Sequence, residues 1–133
     1  MNAVKRLVWE TDMQTMRFNC AEHQEGAIAS TFRNGMKWAH RLCVDEPFEI
    51  RDSVTGIKRG YGRVQAIHIA RLWEIPAYLV ELDHDPSLRN YESLKHELRK
   101  IYGGHVCDSS VFTAIQYRVE KSFEGPHNDV ALG

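Results

Sequence analysis

The spacing of hydrophobic and polar positions changes several times along the chain, and each change marks an element. Gln14, Met16 and Phe18 alternate with Thr15 and Arg17, which reads as a strand within residues 1–18. Asn19, with Glu22 three residues on, fits a helix N-cap and capping box. Ile28, Thr31 and Phe32 recur at helical spacing, so the pattern predicts a helix from Ala21 to Arg33, with Gly26 weakening its middle. Asn34 and Gly35 supply a stop. Met36 to Val44 then alternates as a strand, with Met36, Trp38, His40 and Leu42 on one face and Lys37, Ala39 and Arg41 on the other.

Asp45-Glu46-Pro47 turns the chain into a short strand, 48–51, followed by a hairpin loop, Asp52 to Gly56. The returning strand, 57–61, carries Gly60, with Gly62 just beyond. Glycines so placed signal a bulge, a bend or a close backbone approach. Residues 63–73 form the longest β-like run, apolar on both faces and therefore central in a sheet or barrel. After an irregular acidic stretch, Asp85 and Pro86 open a helix over 86–102 whose stripe is Leu88, Tyr91, Leu94, Leu98 and Ile101. Gly103-Gly104 stops it, and Val111 to Glu120 alternates as the last strand. Residues 121–133 have no pattern and read as a flexible tail. Short strands with an early and a late helix predict an α+β fold, a small and partly open β-barrel with two or three flanking helices. An α+β sandwich is the alternative.

At 133 residues the chain is long enough for one domain with a real core and too short for two of ordinary size. No apolar run is long enough to span a membrane, and the N-terminal residues lack a signal-peptide pattern. Three widely spaced cysteines, Cys20, Cys43 and Cys107, form no disulfide framework or metal knuckle, so a cytoplasmic location is expected. Cys43, beside an apolar strand, reads as a buried thiol. Net charge is −1, but residues 33–71 carry +4 and the remainder −5. A basic middle on a near-neutral protein points to a local anionic partner.

Two stretches carry a family resemblance. Ala29-Ser-Thr-Phe-Arg-Asn-Gly35-Met-Lys37 looks like a helix running into a Gly-x-Lys motif. Leu94-Lys-His-Glu-Leu-Arg-Lys-Ile101-Tyr102-Gly103, followed by Phe112-Thr-Ala-Ile115-Gln-Tyr117, is similar to a late helix and closing strand. Together they resemble the ASCH domain, of PUA-like barrel fold, and in element order the small bacterial amidohydrolases that cleave N4-acetylcytidine. The resemblance implies a single ASCH-like domain over residues 1–120. Its implied partner is RNA or a nucleoside- or nucleotide-like small molecule. No cofactor is expected, and Asp83, His84 and Asp85 with His105 and Cys107 match no metal-binding spacing. In the amidohydrolases the motif lysine works with a threonine three residues later and a glutamate before the late helix. Lys37 matches the lysine. His40 stands in the threonine position, Leu42 replaces a family arginine beside Arg41, and Asp83 or Asp85 is the nearest acid.

The candidate chemistry follows. Lys37 binds phosphate or a base carbonyl as an ammonium, or acts as a base when desolvated. His40 serves as a base or packs on its strand, and Asp83 partners Lys37 as an acid. Gly35, Trp38, Arg41, Lys58, Arg59 and Arg63 form the ligand-binding set with Lys37, joined by Ser109 and Ser110 at the head of the last strand. Serines there also commonly cap a turn. Trp38, Tyr61, Trp73 and Tyr117 offer aromatic faces for a base, although large aromatics in a small barrel are more often core. The expectation is an RNA- or nucleotide-ligand-binding domain, monomeric or weakly dimeric. The alternative is a small hydrolase of a modified nucleoside or RNA with Lys37 as a catalytic residue.

Overall fold

A computed structural model describes residues 13–19 and 23–123. The fold is α+β: a curled five-stranded sheet with three helices. In chain order the elements are β1 (Gln14–Phe18), β2 (Ile28–Asn34), α1 (Lys37–Arg41), β3 (Pro47–Asp52), β4 (Lys58–Arg71), α2 (Ala77–Glu81), α3 (Tyr91–Tyr102) and β5 (Val111–Ser122). Short 3₁₀ turns occupy Leu72–Glu74 and Pro86–Leu88. The strand order is β1-β3-β4-β5-β2. β1 pairs with β3 in parallel, and every other pair is antiparallel.

Alternation along β5 divides the core in two. Ile115, Tyr117 and Val119 face a cluster inside the curl, with Met16, Phe18, Phe48, Ile50 and Val64 from three other strands. Phe112 and Ala114 point the other way, beneath Leu79 and Val80 of α2 and Leu94 and Leu98 of α3. Both faces of the sheet are therefore dry along β5; β4 is central in the sheet as expected, but after Val64 it is only partly covered, with Ile69 exposed.

Two adjacent segments exchange the conformations that the sequence pattern predicts. Of the helix expected over Ala21–Arg33, residues 23–27 are turn and loop, and Ile28 to Asn34 form a strand that pairs against Arg118 to Phe112. Its expected first turn, at Ala21 and Glu22, lies outside the described residues. Ala29 to Phe32 are all buried, because one face of β2 lines the curl and the other meets α2 and α3. A strand buried on both faces loses its alternation and imitates a helical run. The strand expected over 36–44 is the single helical turn α1 and the loop after it. Trp38 and Leu42, four apart, turn inward together onto the inner cluster. Cys43 in that loop is exposed rather than buried.

The remaining elements follow expectation more closely. Gly56 takes φ +75° in the hairpin between β3 and β4. The runs at 57–61 and 63–73 form one long strand, β4, with register shifts at Tyr61/Gly62 and Val64/Ala66. Gly62 lies where a Cβ would come within 2.5 Å of the Phe48 ring, so its backbone does make a close approach. Asp85 caps only the 3₁₀ turn at Pro86. Asn90 caps α3, its side chain accepting the Ser93 N–H at 2.9 Å. Of the expected stripe, Leu94 and Leu98 are buried while Ile101 is half exposed. β5 continues through Ser122, two residues into the expected tail, and residues 124–133 lie outside the described residues. Among the described residues no helix is long and apolar enough to cross a membrane.

Candidate ligand site

β1 and β2 are the outermost strands of the sheet and do not pair with each other. The curl therefore has a seam, which side chains bridge. The Arg33 guanidinium, on the inward face of β2, lies 4.8 Å over the Phe18 ring of β1. His84 packs edge-on against the other side of the contact, 4.8 Å from Phe18, and stacks on His23 at 5.5 Å. His23 Nε2 in turn meets the Tyr117 hydroxyl.

The loop after α2 is fixed to the free edge of β2. The Ser30 N–H donates to the Leu82 carbonyl at 2.9 Å, and the His84 N–H donates to the Ser30 carbonyl at 3.1 Å. The buried Ser30 hydroxyl donates to the Leu79 carbonyl. This small added bridge holds Asp83 against the seam with 2% of its surface exposed.

A cleft opens on each side of the seam, and Arg17 and Arg33 line both. The outer part, about 490 Å³, lies toward α1 and is lined by Thr15, Arg17, Arg33, Trp38, Arg41 and Arg51. Among the described residues no carboxylate lines it. Glu49 stands behind it. Burial pushes the Glu49 carboxyl up, but hydrogen bonds from Arg51 (2.9 Å) and Thr15 (3.1 Å) outweigh that and hold it below its ordinary range. Arg51 is thus partly committed, donating also to the Gly56 carbonyl at 2.7 Å. Arg41 lies over the Trp38 ring at 5.0 Å.

The inner part, about 170 Å³, runs from the seam toward α3. Thr31, Asp83, His84 and Asp85 supply its polar wall, and Phe32, Leu94, Leu98 and Ile101 are among its apolar residues. Burial lowers the Arg33 guanidinium from its ordinary value, with Tyr102, Tyr117 and Asp83 opposing. Burial likewise raises the Asp83 carboxyl to about 7, against the Asp85 N–H that it accepts at 2.9 Å. It lowers His84 to about 4, with neighbouring His23 adding to the effect. The 3.3 Å approach of His84 Nδ1 to Asp83 Oδ1 is therefore a contact of two neutral groups between those limits, although its geometry is that of an ion pair.

Of the residues singled out from the sequence, the fold brings Trp38, Arg41 and Asp83 to this cleft. Lys37 and His40 are exposed on α1 and do not line it. Gly35 forms the turn after β2 at φ +73°, its carbonyl accepting the Thr113 hydroxyl at 2.7 Å. Lys58 engages Glu49 (3.5 Å) and Tyr61 (2.9 Å). Arg59 has a buried Nε without a hydrogen-bond partner, away from the cleft lining. Arg63 pairs with Glu120 (2.8 Å) and the Asp45 carbonyl (2.7 Å). Ser109 and Ser110 belong to the turn around Cys107, whose N–H donates to the Ser110 hydroxyl at 2.9 Å. The turn-capping role expected of serines at that place is the one observed.

Sequence reasoning missed Arg17, Arg33, Arg51, Thr31 and His84 as site residues. The basic balance of 33–71 included Arg33 and Arg51, and the alternation of 14–18 put Arg17 on the polar face of β1.

No protein-family model matches the sequence, and no curated protein matches it. Among solved structures, protein EF3133 from Enterococcus faecalis V583, described as DUF984, is similar with a TM-score of 0.55 at 10% identity, over 75% of this chain and 68% of that one. At that identity the likeness is one of fold alone, and the curled five-stranded sheet is compatible with a small barrel-like α+β fold.

Proposed function

We propose that the protein binds RNA or a nucleotide-like ligand in the cleft across the β1/β2 seam. One observation carries this reading: Arg17, Arg33 and Arg41 converge with Trp38 on the outer part of the cleft, where no carboxylate among the described residues joins them. Guanidinium groups recognise phosphate through paired N–H donors, and an indole face stacks on any base. The reading keeps the basic cavity expected of an ASCH-type ligand domain but centres it on arginines instead of Lys37.

The test is equilibrium binding of short single-stranded RNA and of mononucleotides across a salt series. Affinity should fall as salt rises, and Arg17→Glu and Arg41→Glu should each weaken binding about tenfold or more and flatten the salt slope. Salt-independent binding, or unchanged affinity in both variants, would reject it.

A hydrolase is the second reading, favoured by the Asp83 carboxyl, held near neutrality in the same inner cavity as the Thr31 hydroxyl. Deacylation of N4-acetylcytidine and cleavage of single-stranded RNA, assayed on wild type and Asp83→Asn, test it directly. Turnover that Asp83→Asn abolishes supports this reading, and no turnover in wild type removes it.

A further inference from the structure

The two halves of the cleft differ in kind, and the difference specifies the ligand further. The outer half offers donors alone from its charged side chains. The inner half adds the acceptors that the outer half lacks, with the carboxyls of Asp83, Asp85 and Glu97 beside Arg17 and Arg33 at the seam and apolar side chains toward α3. Asp83 is the telling member. It is 2% exposed, and its Oδ1 accepts the Asp85 N–H at 2.9 Å. Its Oδ2 receives no hydrogen bond among the described residues while its side chain lines the cavity. Oδ2 is thus an acceptor that the fold leaves open to the cavity, where a ligand donor can pair with it.

The inner cavity, at about 170 Å³, is below the ~300 Å³ where pockets for drug-sized molecules begin, so it admits a fragment such as one base. We infer that the ligand is a nucleoside phosphate, or a single extruded nucleotide of an RNA strand, whose base carries an exocyclic amino group: phosphate on the outer arginines, amino N–H on Asp83. The inference rests on the nucleotide reading above and adds which bases are taken.

As a carboxylate Asp83 accepts an amino hydrogen on Oδ2, whereas a proton on Oδ2 would turn it into a donor that suits a carbonyl, so the bases are compared at about pH 8, above the value of about 7 to which burial raises Asp83. Uracil and hypoxanthine present a carbonyl or nothing where cytosine and guanine present the amino group. A base without it would leave the Asp83 oxygen unpaired, and a site built around a donor discriminates strongly against ligands that lack one.

The experiment is calorimetric binding of four probes, CMP, UMP, GMP and IMP, to the full chain. CMP and GMP should bind at least tenfold tighter than UMP and IMP, respectively. Asp83→Leu, checked for folding by circular dichroism, should bring all four to the affinity of the weaker pair. The wild-type comparison stands even if that variant does not fold. Equal affinity within both pairs, a preference for UMP or IMP, or discrimination that survives Asp83→Leu overturns the inference. If those results come with affinity still lost in Arg41→Glu, only the base assignment fails. If none of the four probes binds wild type, the nucleotide reading fails with it.

Discussion

The Arg33 guanidinium sits 4.8 Å over the Phe18 ring and so joins the two strands that end the sheet. Its one hydrogen bond among the described residues is a long one, from Nε to the Thr31 hydroxyl at 3.3 Å. Arg33 thus serves as both packing and donor. Arg33→Met keeps the stem and much of the ring contact, and it should retain stability within about 1 kcal/mol while losing phosphate-dependent binding. Arg33→Ala should lose both, with about 1–3 kcal/mol of unfolding free energy gone. Denaturant unfolding beside nucleotide binding separates the two variants. Normal binding by Arg33→Met would show that this guanidinium is packing alone.

On α1, the roles of neighbouring residues should divide sharply. Trp38 lines the cleft and Lys37 is exposed outside it. Trp38→Ala should weaken ligand binding by the ~1–3 kcal/mol that one base stack supplies. Lys37→Ala should leave affinity within about twofold, as expected of an exposed cation away from the ligand. The opposite ranking would return the site to the Gly-x-Lys motif and move it out of the arginine cleft.

Asp83 and His84 tie stability to pH with opposite signs. Burial raises Asp83 to about 7, so from its ordinary range up to that value the folded chain keeps a proton that the unfolded chain has released. Stability from Asp83 therefore falls as pH rises through that window. Burial, then His23, lowers His84 from 6.5 to about 4, so between those values the unfolded chain holds the extra proton and stability rises with pH. In the wild type the two slopes largely offset each other between pH 4 and 6.5. Asp83→Asn should expose the histidine slope, a gain of roughly 3 kcal/mol across that interval. His84→Gln should expose the opposite slope. Urea unfolding from pH 4 to 8 reads both, and identical profiles in all three proteins would contradict the assignment.

Gly62 is held to its identity by space. A Cβ there would come within 2.5 Å of the Phe48 ring, which is fully buried between strands. Gly62→Ala should cost about 1–3 kcal/mol through overpacking. Gly62→Ala combined with Phe48→Leu should cost less than the two changes summed, because the smaller side chain opens room for the methyl group. Additive losses in a thermal-unfolding cycle would show that the constraint lies elsewhere.

Much of the sheet is legible in the sequence because its signals are local. The alternation of 111–120 and the hairpin glycine at 56 place β5 and the β3–β4 turn, and Leu94 and Leu98 place the buried face of α3. The segment 28–44 is misread because burial on both faces erases alternation in β2, while a five-residue helix is too short to display a period. That exchange also hides the cleft. On a strand, Arg33 shares the inward face of Ala29 and Thr31, whereas on a helix it would be a terminal residue. Arg17 and Arg51 meet because they are register partners in the parallel pairing of β1 with β3. No local pattern specifies that register, and it is set by packing Met16 and Phe18 with Phe48 and Ile50.

That parallel pairing has a consequence for the order of assembly. The β3–β4 hairpin closes over a few residues, whereas β1 reaches β3 across a long excursion that includes β2 and α1. Non-local contacts of this kind bear the loop-closure entropy and form late. β2 reaches β5 over a still longer stretch of chain, so the cleft between β1 and β2 exists only once both edge strands have docked. A ligand spanning the seam would then act as a clasp between two edge strands that do not pair with each other, and part of its binding energy would hold those edges together.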